Sequence, residues 1–335
     1  MEHFSEGNEI IVISDSPAPI PGVKVEQVFV MRAGVKNLFK VRRMRRLVRE
    51  FQPDIVHGHY LTVGGLYASL SGGRRVVGSA WGSDVYYGPK RSVKERMILK
   101  YVLRRCDFIF AGTRDMAERI LASGYGGRVS VFRFGVDPQR FRKTTPHGTG
   151  EFRVLSIRPC SRIYNPLIIL DAFRPLTNQM PRAYLYMFDF GNMVEEVHRA
   201  VDSDPVLRDH VRFVPLQPYD RMVEVYNSAD VAVSLPDSDS AAASVLESLA
   251  CELPVIASDI PAMRECIDDG VNGYLSAIDA SSLADKLRKA YSVRAMLSTM
   301  GRRAREKILD ERNQLTFQSN IKVAEEAYES ILSTL

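Results

Sequence analysis

The chain has 335 residues, 45% of them apolar and 25% charged, with a formal net charge of +5. That length exceeds one ordinary hydrophobic core, so two domains are expected, and the apolar and charged shares are those of a soluble globular protein. No apolar run approaches the ~20 residues needed to cross a bilayer, no secretory signal is visible, and the four cysteines are scattered without a CxxC pair, which reads as reduced thiols in a cytosolic chain. The charge is uneven. Residues 1–150 carry 25 Lys and Arg against 13 Asp and Glu, a net of +12, and the remainder carries 20 against 27, a net of −7. A half this basic is expected to meet a polyanion, either an anionic membrane surface or nucleic acid.

In chain order, Ile10 to Ser14 reads as a strand with a loop after it. Val35 to Phe51 forms a basic helix in which Leu38, Val41, Met44, Leu47 and Val48 recur at helical spacing and are expected to face the core. Lys36, Lys40, Arg42, Arg43, Arg45, Arg46 and Arg49 occupy much of the rest. Two readings stand for that face: docking on anionic lipid, at about 1 kcal/mol per basic residue near the surface, or plain solvation. Few aromatics interleave the charges, so a stacking platform for single-stranded nucleic acid is not expected. Pro53 ends the helix and Ile55-Val56 begin a strand. His57 and His59 come at its carboxyl end, where open α/β sheets place ligands. Zinc would need a third ligand, and none lies nearby in sequence. Arg75 to Ala80 is a strand, Lys94 to Arg105 a second basic helix, and Cys106 to Thr113 and Val129 to Phe134 further strands. Residues 143–150, KTTPHGTG, have linker composition. Phe152 to Ile157 opens the second half as a strand. Arg158 to Asn165 is a loop, and Pro166 sits at the first position of the next helix. Ala183 to Phe188 and Val211 to Val214 are strands, and Gln314 to Leu335 is a helical tail. Both halves alternate strand and helix, which argues for two doubly wound sheets facing across a cleft.

The most informative stretch is Ala229 to Asp259, ADVAVSLPDSDSAAASVLESLACELPVIASD. Val231, Val233 and Leu235 give a short strand closed by Pro236. Asp237-Ser-Asp-Ser are cap formers, and a helix is expected from near Ser240 to Cys251 with Val245, Leu246 and Leu249 as its apolar stripe. Three alanines, Ala241 to Ala243, would leave the first-turn amides unshielded. Those amides and the helix dipole make an anion site worth roughly 0.3–1 kcal/mol per charge from the dipole alone. Asp239 stands before that site and Glu247 further along the helix. A nucleotide-diphosphate sugar fits the pattern, with phosphates at the helix start, ribose hydroxyls on Glu247 and sugar hydroxyls on Asp239. An ordinary well-capped crossover helix is the alternative.

Asp239-x7-Glu247, followed by LACELPVIASD and by Glu265-x4-Gly270-x-Asn272-Gly273, resembles the donor-binding signature of glycosyltransferase family 4. The family usually has Glu at the first position and Gly-Phe-Gly after it; here Asp239 and Ser240-Ala-Ala stand in. The resemblance implies a GT-B fold: an N-terminal Rossmann-like domain over 1–143, a nucleotide-sugar domain over 151–311, and a last helix, 312–335, packing back on the first. It also implies that a first strand and glycine-rich loop belong before Ile10, so the annotated start reads as misplaced, the chain as a fragment, or the sheet as missing a strand. His59, in a Pro-Asp-x-x-His-x-His run, is expected to face the interdomain cleft. Trp81-Gly-Ser-Asp84 stands where His-Gly-Ser-Asp is usual. Trp81 is expected as a platform for a sugar face or as a core residue, and Asp84 as a helix cap or a holder of an acceptor hydroxyl. Gly135-Val-Asp-x3-Phe141 resembles the family's run before the interdomain linker. Arg158 and Arg162 are expected on the donor diphosphate, although Tyr164-Asn165 replace the usual Lys-Gly. Pro215 and Leu216 lie where backbone groups meet the nucleotide base.

The implied chemistry is retaining transfer of a sugar from a nucleotide-diphosphate donor to a hydroxyl of a glycan or lipid-linked acceptor, in cell-surface glycan, glycolipid or polysaccharide synthesis. Asp239, Arg158 and Arg162 are the expected catalytic residues. The donor site is expected to comprise Glu247, Asp239, Ser240, Ala241, Ala242, Ala243, Ser244, Val245, Tyr164, Asn165, Pro215 and Leu216. Arginine and amide groups would stabilise charge on the leaving diphosphate. No cofactor, metal or nucleic-acid partner is expected. Asp237-Ser-Asp239 has a DxD spacing, but carboxylates ligating a metal there would block the phosphate site. The expected location is the cytoplasm, peripheral on the inner face of the membrane through helices 36–51 and 90–105. The rival reading is an inactive relative that binds without turnover.

Overall fold

The computed structural model describes residues 7–14, 23–27, 36–88, 92–144, 150–240 and 242–333, the side chains of 36–39 excepted. Ala241, residues 90–91 of the second basic helix and residues 145–149 of the expected linker lie outside them. The chain divides into two compact units: Met1–Ala111 with Met116–Ser130 and Ala327–Leu335, and Gly112–Asp115 with Val131–Glu326. The division therefore falls at Ser130/Val131, ahead of the linker-like run. Val136 and Phe141 are already buried in the core of the second unit, which is why that stretch belongs to it. The tail helix, Phe317–Leu332, is likewise divided at Glu326/Ala327 rather than joining the first unit from residue 312. Its residue Asn320, 1% exposed, holds the amide of Arg133 within the second unit.

In the first unit, β1 (Ile11–Ser14) pairs in parallel with β2 (Lys24–Gln27). β3 (Ile55–His59), β4 (Arg75–Ser79), β5 (Phe108–Ala111) and β6 (Arg128–Val131) form a sheet in that order. Leu61, Val76, Leu99, Val102, Ile109, Met116 and Ile120 are its core. The helix Lys36–Phe51 buries Met44 and half-buries Val41, Leu47 and Val48, as the spacing predicts. On its other side, Arg45 donates to the Leu70 carbonyl and Arg46 pairs with Glu50.

A π-helical turn, Tyr60–Gly65, follows β3 directly. It depends on two glycines. A Cβ on Gly64 would lie 2.1 Å from the His59 carbonyl oxygen, and one on Gly58 2.5 Å from the Gly64 oxygen.

The second unit holds β7 (Phe152–Ser156), β8 (Ala183–Phe188), β9 (Val211–Val214), β10 (Val231–Ser234), β11 (Val255–Ser258) and β12 (Gly273–Ser276). Their order is β12-β11-β10-β7-β8-β9, and every pairing is parallel. Side chains alternate between two buried faces: Val154, Val231 and Val233 enter one core, Leu155 and Ala232 the other. The strand order reverses between β7 and β10. In a doubly wound sheet the carboxyl ends of the strands at that reversal are where ligands bind.

Candidate functional site

At the reversal, the carboxyl end of β7 delivers Arg158 and that of β10 delivers Ser234 and residues 235–240. Arg158 Nε donates to Ser234 Oγ at 3.1 Å, its Nη2 is ion-paired with Asp239, and its guanidinium lies 4.8 Å from the centre of the Tyr164 ring. Burial lowers the Arg158 pKa, opposed by Tyr164, Tyr226 and Glu247. Asp239 also accepts the Ser240 amide at 2.8 Å. Asn165, in a left-handed conformation at φ 52°, donates to the Leu235 carbonyl at 3.0 Å and to Asp237 at 2.7 Å. The 235–237 loop is thereby tied to the segment before Pro166. Arg162 is exposed, and its backbone amide donates to Asn192 Oδ1 at 3.1 Å.

The helix beyond this loop runs Ala243–Ala250, three residues shorter at its start than expected. The Asp237–Ser240 cluster does not cap it. Its N-cap is Ala242, and among the described residues no side-chain cap hydrogen bond is made there. The carboxylates expected as caps are taken up instead by Asn165 and Arg158. First-turn amides have no carbonyl within their own helix, so an uncapped start is open to an anion. Ser244 Oγ is buried there with no hydrogen-bond partner among the described residues, a state that carries a cost unless a ligand completes it. Val245 and Leu246 point into the core.

Glu247 sits one turn into this helix and is 8% exposed. Tyr226 Oη donates to its Oε2 at 2.6 Å and Tyr219 Oη to its Oε1 at 3.2 Å. Burial raises the carboxyl pKa, and the two phenols with Arg158 and Arg140 oppose that. Pro215 and Leu216 form the exposed turn before Tyr219, with Leu216 68% exposed.

In the first unit, His59, Trp81 and Asp84 are close together but differ in role. Trp81 is 46% exposed, which overturns the core reading, and it meets the His59 ring edge-on at 6.2 Å. His59 stacks on His57 at 4.4 Å. His57 is fixed by Ser79 Oγ at 2.8 Å and Tyr328 Oη at 2.7 Å, and burial holds its pKa well below the usual imidazole range. Asp84 is fully buried, so it does not offer itself to an acceptor hydroxyl. Its carboxylate accepts the amides of Leu61 at 2.7 Å, Trp81 at 3.0 Å and Gly82 at 2.9 Å, joining the π-helical turn to the loop that presents Trp81. Among the described residues, no group of three or more His, Cys, Asp or Glu is gathered as metal ligands would be.

Sequence reasoning missed Tyr219 and Tyr226. The signal was the spacing, two turns apart and just upstream of β10, but the register of that segment against the next helix is not local information.

Residues 137–307 match the model for "Glycosyl transferases group 1", and residues 4–113 that for "Glycosyl transferase 4-like". The putative glycosyltransferase EpsD of Bacillus subtilis is 26% identical over 299 residues, 82% of this chain and 77% of its own. The chain spans only half to two-thirds of the length of most other curated relatives it matches. Sucrose-phosphate synthase from Thermosynechococcus elongatus superposes with a TM-score of 0.82 at 16% identity, covering 99% of this chain and 91% of that one. HepE from Anabaena, solved with UDP and glucose, gives 0.75 at 18% identity, covering 92% and 87%. Those likenesses show the GT-B fold, with two Rossmann-like domains. With a match over half its length, this chain belongs to the group 1 glycosyl transferases.

Proposed function

We propose that this chain is a family 4 enzyme that transfers a sugar from a nucleotide-diphosphate donor to a glycan or lipid-linked hydroxyl with retained anomeric configuration. One observation carries the reading. The buried Arg158 guanidinium and the buried, unsatisfied Ser244 hydroxyl border an uncapped helix start at the strand-order reversal. Charge develops on the diphosphate as the glycosidic bond breaks, and fixed donors in a dry site are the largest usual stabilising term. Arg158, Ser244 and the amides of Ala242 and Ala243 supply them, with Arg162 at the rim. Asp239 takes sugar hydroxyls once the diphosphate claims Arg158, Glu247 takes the ribose, and Pro215-Leu216 border the base. HepE's bound UDP supports this class of donor. On the acceptor side we place His59 and Trp81, with Asp84 acting through the loop it holds.

The reaction uses no metal or cofactor in this reading. A role in surface glycan or polysaccharide synthesis, on the cytoplasmic face of a membrane, accords with the basic helices. Val93, Met97 and Tyr101 are exposed at i, i+4 and i+8 of the helix Val93–Leu103, beside Lys94, Arg96 and Lys100. No helix among the described residues is long and apolar enough to cross a membrane.

The test is incubation with UDP-glucose, GDP-mannose and ADP-glucose, with and without EDTA, and assay of nucleotide release. Release insensitive to EDTA is expected with one of them. The second reading, binding without turnover, is favoured by Tyr164-Asn165 in place of Lys-Gly; tight binding of a nucleotide with no release even when acceptors are supplied would establish it.

A further inference from the structure

Glu247 is held from two sides by unlike tyrosines. Tyr226 is 1% exposed and fixed in the core; Tyr219 is 56% exposed, yet its hydroxyl points inward to Oε1. The Tyr219 ring is kept in that pose by the Arg140 guanidinium, 4.2 Å from its centre, and by Phe141 at 5.5 Å edge-on. Arg140 is itself paired with Asp220. These ring contacts place the Tyr219 ring but do not by themselves require its hydroxyl to face Glu247. A tyrosine more than half in water gains nothing from turning its hydroxyl away from solvent unless the carboxylate needs the donor.

We propose that Tyr219 is a positioning residue for nucleotide recognition: its hydroxyl, with that of Tyr226, holds the buried Glu247 as an ionised, acceptor-only carboxylate aimed at the ribose. The inference rests on the proposed nucleotide site. A ribose hydroxyl donates best to a charged acceptor, and a carboxylic acid would present a competing donor. Burial works against the charge, and donors to the ionised form work for it. The charged and titratable groups facing Glu247 are Tyr219 and Tyr226 on its oxygens, Arg158 from the loop after β7, Arg140 from the segment before Phe141, and Cys251 one turn further along the chain. Burial keeps the Tyr219 phenol and the Cys251 thiol up at about 12. Glu247 is thus the member of this set whose protonation sets an acid limit. Because burial raises its pKa, that limit lies on the high side of an ordinary glutamate's. Removing one phenol donor moves it further up, so affinity in Tyr219→Phe fails at a higher pH than in the wild type.

The measurement is the dissociation constant by titration calorimetry across pH 4.5 to 8, roughly the range over which raised carboxyls titrate. The probe is whichever of UDP-glucose, GDP-mannose and ADP-glucose binds; their diphosphates carry no proton that titrates there. A charge-assisted hydrogen bond is worth about one pKa unit or more. Tyr219→Phe is therefore expected to match the wild type at pH 8, to have its acid limb displaced upward by about one pH unit, and to bind about tenfold more weakly below the limb. Glu247→Gln is expected to bind weakly with no limb at all. A limb that Tyr219→Phe leaves in place, or that survives in Glu247→Gln, overturns the assignment. If the wild type binds none of the three probes, the nucleotide reading itself fails, a result distinguishable from the others by the absence of heat in the parent protein. The exposed ring makes Tyr219→Phe safe for folding, and equal melting midpoints at pH 8 would verify that.

Discussion

Arg158→Met is expected to lower kcat/KM for the nucleotide sugar by about 10²–10³-fold, the usual loss when one preorganised donor to a developing oxyanion is removed. The same change should destabilise the second unit. Arg158 and Asp239 are both nearly buried, with side chains 11% and 13% exposed, and they are ion-paired. Removing one partner leaves a buried charge uncompensated, at a cost of about 3–5 kcal/mol. The two effects separate in the double variant Arg158→Met with Asp239→Asn. Stability, read as a urea midpoint, should recover because no lone charge remains. Turnover should not, because the guanidinium is still missing. Rates within threefold of wild type in the single variant (a threefold change is about 0.7 kcal/mol), or turnover restored in the double, would remove Arg158 from the machinery.

Asp84→Ala is expected to destabilise the first unit by about 3 kcal/mol or more, since it strips the partner from three amides at once and each buried orphan costs about 1–3 kcal/mol. At about 2–4 °C per kcal/mol for a unit of this size, its melting transition should fall by roughly 6–12 °C. Asp84→Asn should recover little, because its amide hydrogens would meet donors. A holder of an acceptor hydroxyl would behave oppositely, with turnover lost and the melt unchanged. A melt within about 1 °C of wild type, less than 0.5 kcal/mol on that scale, would return Asp84 to that role.

What the sequence revealed and what it hid follow from the range of the forces involved. The strands Val231–Ser234, Val255–Ser258, Phe152–Ser156 and Ala183–Phe188 were readable because buried parallel strands are short apolar runs between turn formers. Arg158 was named only through the family resemblance, with Arg162 as its equal, and the ion pair with Asp239 that sets it apart lies far along the chain. The helix start was misplaced because Asp239 and Asp237 look like caps until Arg158 and Asn165 are seen to claim them, partners 81 and 72 residues away along the chain. Asp84 was ambiguous for the same reason: one of its three amide partners, Leu61, is 23 residues distant. Trp81 could not be placed as exposed, because nothing local separates a core indole from a displayed one. The boundary at Ser130/Val131 was hidden by composition, since KTTPHGTG resembles a linker while Val136 and Phe141 had already joined the next core.

The turn after β3 has one more consequence. The backbone passing through His59 into the turn needs two positions that have no side chain to contribute, since a methyl at Gly64 would press on the His59 carbonyl and one at Gly58 on Gly64 itself. A survey of alanine replacements along this chain would therefore score both positions as intolerant, though neither has a side chain that makes a contact. What those two positions supply is clearance, and in a tolerance map clearance and contact look alike.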